Sequence, residues 1–275
     1  MMISGEPTPE NLVYLFCLAD KIPKTGPETG YDGKGISYVS NKGLYAVTGI
    51  VTGDDFCQEN LKRNLNDFKW VEEKVRLHEQ VVEKTMSAST VMPFKFGTVF
   101  KSEESLKKML DEYLDEFREI LKRLEGKREW GIKVYCDRKA FARLVEKDAP
   151  FDRMEKETEL LSPGRAFFHK KKQDQLMAEF VDAKTCEASR EIFEILKGHS
   201  TGTRINNLLP PDATSRKEDM VFNAAFLVDN GRAGAFIDEV ELLRDKYFGF
   251  EIECTGPWPP YNFCVIKEHE SADRK

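Results

Sequence analysis

The chain is predicted to be an α+β protein of two domains, closed by an extended C-terminal strap. Three observations carry this. Short alternating or wholly apolar segments interleave with stretches whose apolar residues recur at three and four positions. The order of these segments changes after Gly126. Finally, Thr255–Phe263 packs three prolines, one glycine and three aromatics into nine residues. Proline fixes φ and removes a backbone donor, so that segment runs extended or turns. A disordered tail rarely spends three aromatics so close together. The strap should be ordered, with rings filling pockets on the protein or on a partner.

The first elements follow from local pattern. Asn11–Leu18 is continuously apolar, with Val, Tyr and Phe, and reads as a strand buried on both faces. Lys21–Gly35, rich in Gly, Pro, Lys and Thr, is expected to be a surface loop. Ile36–Ser40 and Leu44–Val51 flank Asn41-Lys42-Gly43 and predict a hairpin. A long helix is expected over about Gln58–Met86, with Leu61, Leu65, Phe68, Val71, Val75, His78 and Val82 on one face. Val91–Phe100 holds Pro93 and Gly97 and is an edge strand or a folded connection. Ser102 caps the next helix, which buries Leu106, Leu110, Tyr113, Phe117, Leu121 and Leu124 and ends at Gly126.

The second half repeats strand, helix, strand, strand, helix, strand. Trp130–Cys136 alternates as a strand, and Arg138–Glu146 is a short helix. A poorly patterned stretch then runs to Ser162-Pro163-Gly164. Arg165–Lys197 is a long helix with Leu176, Phe180, Ala183, Phe193 and Leu196 inward. Thr203–Leu209 and Met220–Val228 are strands, Ala233–Tyr247 a helix, and Phe250–Thr255 the last strand. This order is the split βαβ, ferredoxin-like arrangement: an antiparallel sheet with helices on one face. Domains are expected at 1–127 and 128–256, with 257–275 a tail packing across them.

Composition narrows function. Hydrophobic residues are 40% of the 275, enough to bury a core, while net charge is −6 and the pI near 5.5. That balance argues against a nucleic-acid or anionic-membrane binder. The longest apolar run, Leu12–Ala19, is far below the roughly 20 residues that span a bilayer, and lacks signal-peptide flanks. A soluble, intracellular protein is expected. Its six cysteines lack two-residue spacing and read as reduced structural thiols.

Catalytic patterns are missing. The sequence has no G-x-S-x-G, G-x-x-x-x-G-K-[ST] or H-E-x-x-H. Gly30, Gly33 and Gly35 beside Lys34 are wrongly ordered for a phosphate loop. His78, His169, His199 and His269 have no histidine or cysteine at helical spacing, and His78 reads as a satisfied core histidine. His169-Lys170-Lys171-Lys172 is a dense basic run near a helix start, where cations are disfavoured; it is a solvated face or marks an anionic partner. Asp111–Glu119 is a solvated acidic face, and Glu155, Glu157 and Glu159 receive no catalytic role. No enzyme activity, cofactor or metal is expected.

Six segments together resemble the gas vesicle protein F/L family. They are Trp70 followed by His78-Glu79; Val91-Met92-Pro93-Phe94-Lys95-Phe96-Gly97-Thr98-Val99-Phe100, similar to the family's P-x-[RK]-F-G-T-x-F run; Glu129–Val134; Ser162-Pro163-Gly164-Arg165-Ala166-Phe167-Phe168 leading into Lys170–Lys172; Asn223–Val228; and the strap. They keep the family's order from Leu12 to about Phe263, and the main departure is the Gly-rich Lys21–Gly35 loop. The resemblance implies a cytoplasmic or vesicle-associated accessory protein, not an enzyme, with a ferredoxin-like second domain and a tail locking the domains together. Its implied partners are the small hydrophobic shell protein and other accessory proteins, with no nucleic acid and no lipid membrane. A minor component of the vesicle wall is the alternative. An anion- or nucleotide-binding domain using Arg165, His169 and Lys170–Lys172 is a third reading. The motifs do not separate F-type from L-type.

The motif residues have physical roles without catalysis. Gly97 allows a sharp turn between aromatics, and Pro93 ends pairing at an edge. Trp130 and Trp258 are expected as apolar anchors whose N–H groups each find a partner. Gly164, Arg165, Gly256, Pro257, Pro259, Pro260 and Tyr261 are the remaining structural positions. Phe94, Phe96 and Phe100 are the candidate partner-binding side chains, beside an open edge.

Overall fold

The computed structural model describes residues 11–24, 26–145 and 149–266; His269 and the end of the tail lie outside them. Helices and antiparallel sheet are combined in two compact units. Trp130–Gly256 forms one, and the segments before and after it form the other.

In the first unit the strands are β1 (Asn11–Ala19), β2 (Ile36–Asn41), β3 (Leu44–Thr52), β4 (Val91–Pro93) and β5 (Val99–Phe100). They form one sheet of order β2-β3-β1-β4, with β5 also on β1. β1 is central because its residues from Tyr14 to Ala19 are all buried, as its unbroken apolar run requires. The β2–β3 hairpin turns at Lys42 (φ 46°) and Gly43 (φ 85°), the two positive φ values of a tight primed turn. The helices are α1 (Gly53–Phe56), α2 (Gln58–Asn64), α3 (Phe68–Met86), α4 (Glu103–Glu112) and α5 (Leu114–Leu124). Ser102 caps α4 through a reciprocal box with Ser105.

The second unit contains β6 (Lys127–Cys136), α6 (Arg138–Val145), α7 (Ala149–Glu159), α8 (Pro163–Gly198), β7 (Gly202–Ile205), α9 (Pro211–Thr214), β8 (Asp219–Asp229), α10 (Ala233–Lys246) and β9 (Phe250–Trp258). Its sheet order is β7-β8-β6-β9. One face packs Ile132, Val134, Phe226 and Val228 against Ile192 and Leu196 of α8 and Phe236 and Val240 of α10. On the other, Arg216 lies 4.3 Å over the Tyr135 ring and pairs with Glu251 at 2.7 Å and Glu253 at 2.9 Å.

Several expectations need correction. The single helix over Gln58–Met86 is broken: Asp67 accepts from the Lys69 and Trp70 amides and starts α3 afresh. Leu65 and Phe68 sit at that break, 49% and 81% exposed, and not on an inner face. The helix after Ser102 is likewise split at Tyr113, whose ψ of 19° interrupts it. The Lys21–Gly35 loop is not wholly superficial, since Tyr31 is buried. The poorly patterned stretch contains α7. On α8 the inward residues are Met177, Val181, Ile192 and Leu196, whereas Leu176 and Ala183 are exposed. The strand expected over Thr203–Leu209 stops at Ile205.

Candidate functional site

The most elaborate side-chain constellation lies in the first unit, beneath the strap. Period-two alternation puts Tyr14 and Phe16 of β1 on one face, with ring centroids 4.7 Å apart. Tyr31 from the loop, Phe56 from α1 and Phe96 from the β4–β5 turn surround Tyr14 at 4.9, 5.3 and 6.4 Å. Trp70 and His78 are two turns apart on α3 and complete the cluster. Edge and tilted contacts of this kind suit aromatic quadrupoles.

A hydrogen-bond chain threads these rings. The Gly97 amide donates to the Tyr14 hydroxyl at 3.0 Å, and that hydroxyl meets His78 Nδ1 at 2.8 Å. On the other side His78 Nε2 meets the Tyr261 hydroxyl at 3.0 Å. The Tyr261 hydroxyl in turn faces the Glu79 carboxylate, whose charge adds to burial in raising the tyrosine's pKa. The chain is satisfied when Tyr14 donates to Nδ1, Nε2–H donates to Tyr261, and Tyr261 donates to the Glu79 carboxylate. Gly97 can serve because its φ is +83°, a backbone state open to glycine. Burial pulls the His78 pKa down to about 4, so at neutral pH the ring is uncharged. Burial also raises the Tyr14, Tyr261 and Glu79 values.

The strap is held by two further contacts. Both Glu129 oxygens accept from Asn262, from its amide at 2.9 Å and its side-chain nitrogen at 2.6 Å. Arg123 donates to the Phe263 carbonyl at 2.7 Å. Burial raises the Glu129 pKa, against the two Asn262 donors. His78 is fully enclosed, so the chain of donors fixes the strap and offers no open position for a substrate.

The expected site residues distribute as follows. Pro93 is buried opposite Cys17 at the end of β4. Phe94, Phe96 and Phe100 are each partly buried. Phe94 packs on Phe117 at 6.1 Å, Phe96 belongs to the aromatic cluster, and Phe100 pairs opposite Val13. Trp130 packs on Phe236 at 6.2 Å, but its indole N–H has no partner, contrary to expectation. Trp258 is 43% exposed and so is not a buried anchor; Pro259, Pro260 and Phe263 are the buried strap residues, with Tyr261 on His78. Gly256 adopts φ 129°, and Pro257 is exposed. Gly164 and Arg165 lie in the exposed first turn of α8. His169 meets Thr158 of α7 at 2.6 Å, while Lys170–Lys172 stand exposed; helical spacing puts Arg165, His169 and Lys172 along one side of α8, with Lys170 and Lys171 turned away from it. Among the described residues no group of His, Cys, Asp and Glu is placed to hold a metal ion, and no helix is long and apolar enough to cross a membrane.

Glu129, Asn262 and Tyr31 escaped sequence reasoning. Glu129 and Asn262 lie inside family-like segments and Tyr31 in the loop that departs from them, and the partner of each is distant in sequence.

The family model described as gas vesicle synthesis protein GvpL/GvpF matches residues 12–265. Gas vesicle protein L of a Streptomyces species is 27% identical, over 95% of this chain and 96% of its own length. Gas vesicle protein L1 of Halobacterium salinarum is 26% identical, over 94% and 92%. The crystal structure of GvpF from an Anabaena species superposes with a TM-score of 0.71 at 22% identity, covering 94% of this chain and 98% of that one.

Proposed function

The chain belongs to the gas vesicle synthesis protein GvpL/GvpF family, and from that premise we propose that it is an accessory protein of gas vesicle formation. In this reading it binds the small hydrophobic shell protein and other accessory proteins during assembly, in the cytoplasm and at the vesicle. A subunit that will bury large apolar surface is an aggregation hazard before it does so. A holder for it needs accessible apolar side chains beside a strand edge.

The observation that carries this reading is the Val91–Phe100 segment. β4 ends the five-stranded sheet, but Val91, Met92 and Pro93 are buried, so the expected open edge is covered; what stays accessible is part of the Phe94, Phe96 and Phe100 rings beside it. Phe94 and Phe100 are the side chains assigned to the partner, with Phe96 anchored in the cluster. We also read the second unit as ferredoxin-like, within domains 1–127 and 128–256 and a tail at 257–275. The order β7-β8-β6-β9, with α8 and α10 sharing one core, supports that arrangement.

The test is co-expression of the tagged chain with the small shell protein, then pull-down from the soluble fraction. Soluble co-purification, lost in a folded Phe94→Ser, Phe100→Ser variant, is the expected result. A folded wild-type chain that brings down no shell protein overturns the reading and favours late incorporation into the wall.

A further inference from the structure

The outer face of α8 carries a pattern that the core does not explain. Its inner positions, Met177, Val181, Thr185, Ala188, Ile192 and Leu196, are buried. On the opposite side Phe168, Lys172, Gln175, Glu179, Asp182 and Cys186 recur at four, three, four, three and four positions, all exposed. This is one continuous stripe.

The stripe is polar in the electrical sense. Its N-terminal half holds Lys171 and Lys172 beside Phe167 and Phe168, which are 68% and 72% exposed. Among the described residues Arg165 and Lys170–Lys172 have no acidic partner, whereas Lys184 and Lys197 farther along the same helix pair with Glu187 and Glu194. Arg165 stands in the first turn of α8, where a cation opposes the macrodipole, and Lys170–Lys172, two turns in, stabilise the helix through no ion pair of their own. The C-terminal half holds Glu179, which accepts from Gln175 at 3.0 Å and has no cation beside it among the described residues, and Asp182, which is already paired with Arg138 of α6. Beyond them lies a shallow depression of about 440 Å³ along the same helix, with Ala183 and Cys186 at its near end and Glu187, Arg190, Glu191 and Glu194 around the rest.

We propose that this face binds a second copy of the chain, with the two α8 helices antiparallel about a twofold axis at Gln175. Lys171 and Glu179 lie four positions either side of Gln175, and Phe168 and Asp182 seven either side. Antiparallel pairing therefore sets Lys171 against the other copy's Glu179, twice. It also sets each Phe168 near the other copy's Ala183. Helical side chains lean toward their own N-terminus, which in this pairing carries Phe168 over the depression at Ala183 and Cys186. Such an interface is isologous and closes at a dimer. Buried aromatics ringed by charge are the usual energetic centre of a protein contact.

Other partners fit less well. The apolar part of the stripe is about one turn long and is followed on the same face by Glu179 and Asp182. A bilayer needs a longer apolar face, and both anionic lipid and nucleic acid would meet those carboxylates.

Sedimentation velocity of the full chain over a concentration series tests this, with far-UV circular dichroism as the fold control. The wild type is expected to dimerise. Lys171→Glu alone and Glu179→Lys alone each place two like-charge contacts in the interface and weaken dimerisation about tenfold. An equimolar mixture of the two variants recovers it, because the heterodimer has both contacts complementary. Phe168→Ser abolishes it. A wild type that stays monomeric throughout overturns the proposal. So do single charge variants that dimerise as the wild type does, or a mixture that fails to recover.

Discussion

His78 and Tyr261 stand 183 positions apart and hydrogen-bond at 3.0 Å. The bond joins the middle of α3 to the strap and continues through Tyr14 to the Gly97 amide. Three of the family-like segments, α3, the F-G-T-x-F run and the strap, thus meet in one line of donors. Their shared appearance in the sequence has a physical reason: each supplies a group that another leaves unsatisfied.

Removing one hydroxyl tests the line. Tyr261→Phe keeps the ring but strands the His78 Nε2–H and takes a donor from Glu79. A buried polar group without a partner costs about 1–3 kcal/mol. Urea denaturation should show a loss of that size, with the unfolding slope unchanged.

The pH dependence follows from His78. Its pKa lies near 4 when folded, against an ordinary 6.5. The unfolded chain therefore binds more protons between these values, and the stability due to His78 is complete above about pH 6.5 and declines as pH falls toward 4. The full difference is about 3 kcal/mol. Glu79 and Glu129, raised by burial, act in the opposite sense and lose stability as pH rises through their folded values. Comparing wild type with His78→Gln isolates the histidine. The stability gap between them should narrow by about that amount from pH 7 to pH 4; a constant gap contradicts the buried neutral ring.

Much of this was legible in the sequence because it is local. The unbroken apolar run of β1 announced a central strand, Asn41-Lys42-Gly43 a tight turn, and Ser102 a helix start. His78 declared itself a core residue by its spacing from Val75 and Val82. What failed depended on competing local signals. Leu65 and Phe68 fit the stripe of α3, yet Asp67 caps between them and leaves both outside. The strap was recognised as ordered, but proline content cannot say which ring turns inward. Trp258 faces out, while the smaller Tyr261 reaches His78 because it alone offers a hydroxyl at that distance.

Gly97 is predicted to be intolerant of a side chain on two independent grounds. Its φ of +83° disfavours any L residue, and a Cβ would stand 3.0 Å from Leu61 Cδ2. Gly97→Ala should cost about 1–2 kcal/mol, read as a lowered thermal midpoint. Leu61→Ala in the same chain opens the space and should recover only the steric part. Complete recovery indicates that backbone strain contributes little.

Glu129 holds the strap by accepting two hydrogen bonds from one residue. Glu129→Gln keeps one acceptor and turns an amide nitrogen toward the other Asn262 donor, so one bond is lost. Glu129→Ala removes both and leaves the Asn262 amide without its acceptor. Bonds to a charged group contribute about 1.5–3 kcal/mol each, so the effects should be graded. Amide exchange at Asn262 should accelerate roughly tenfold in the Gln variant and further in the Ala variant. The Tyr14 hydroxyl partner, Gly97, provides the internal control, because the His78 line is anchored separately. Equal acceleration at Asn262 and Gly97 means that the strap and the aromatic core open together as one cooperative unit. Acceleration confined to Asn262 means that Glu129 secures the strap locally, after His78 has already positioned Tyr261.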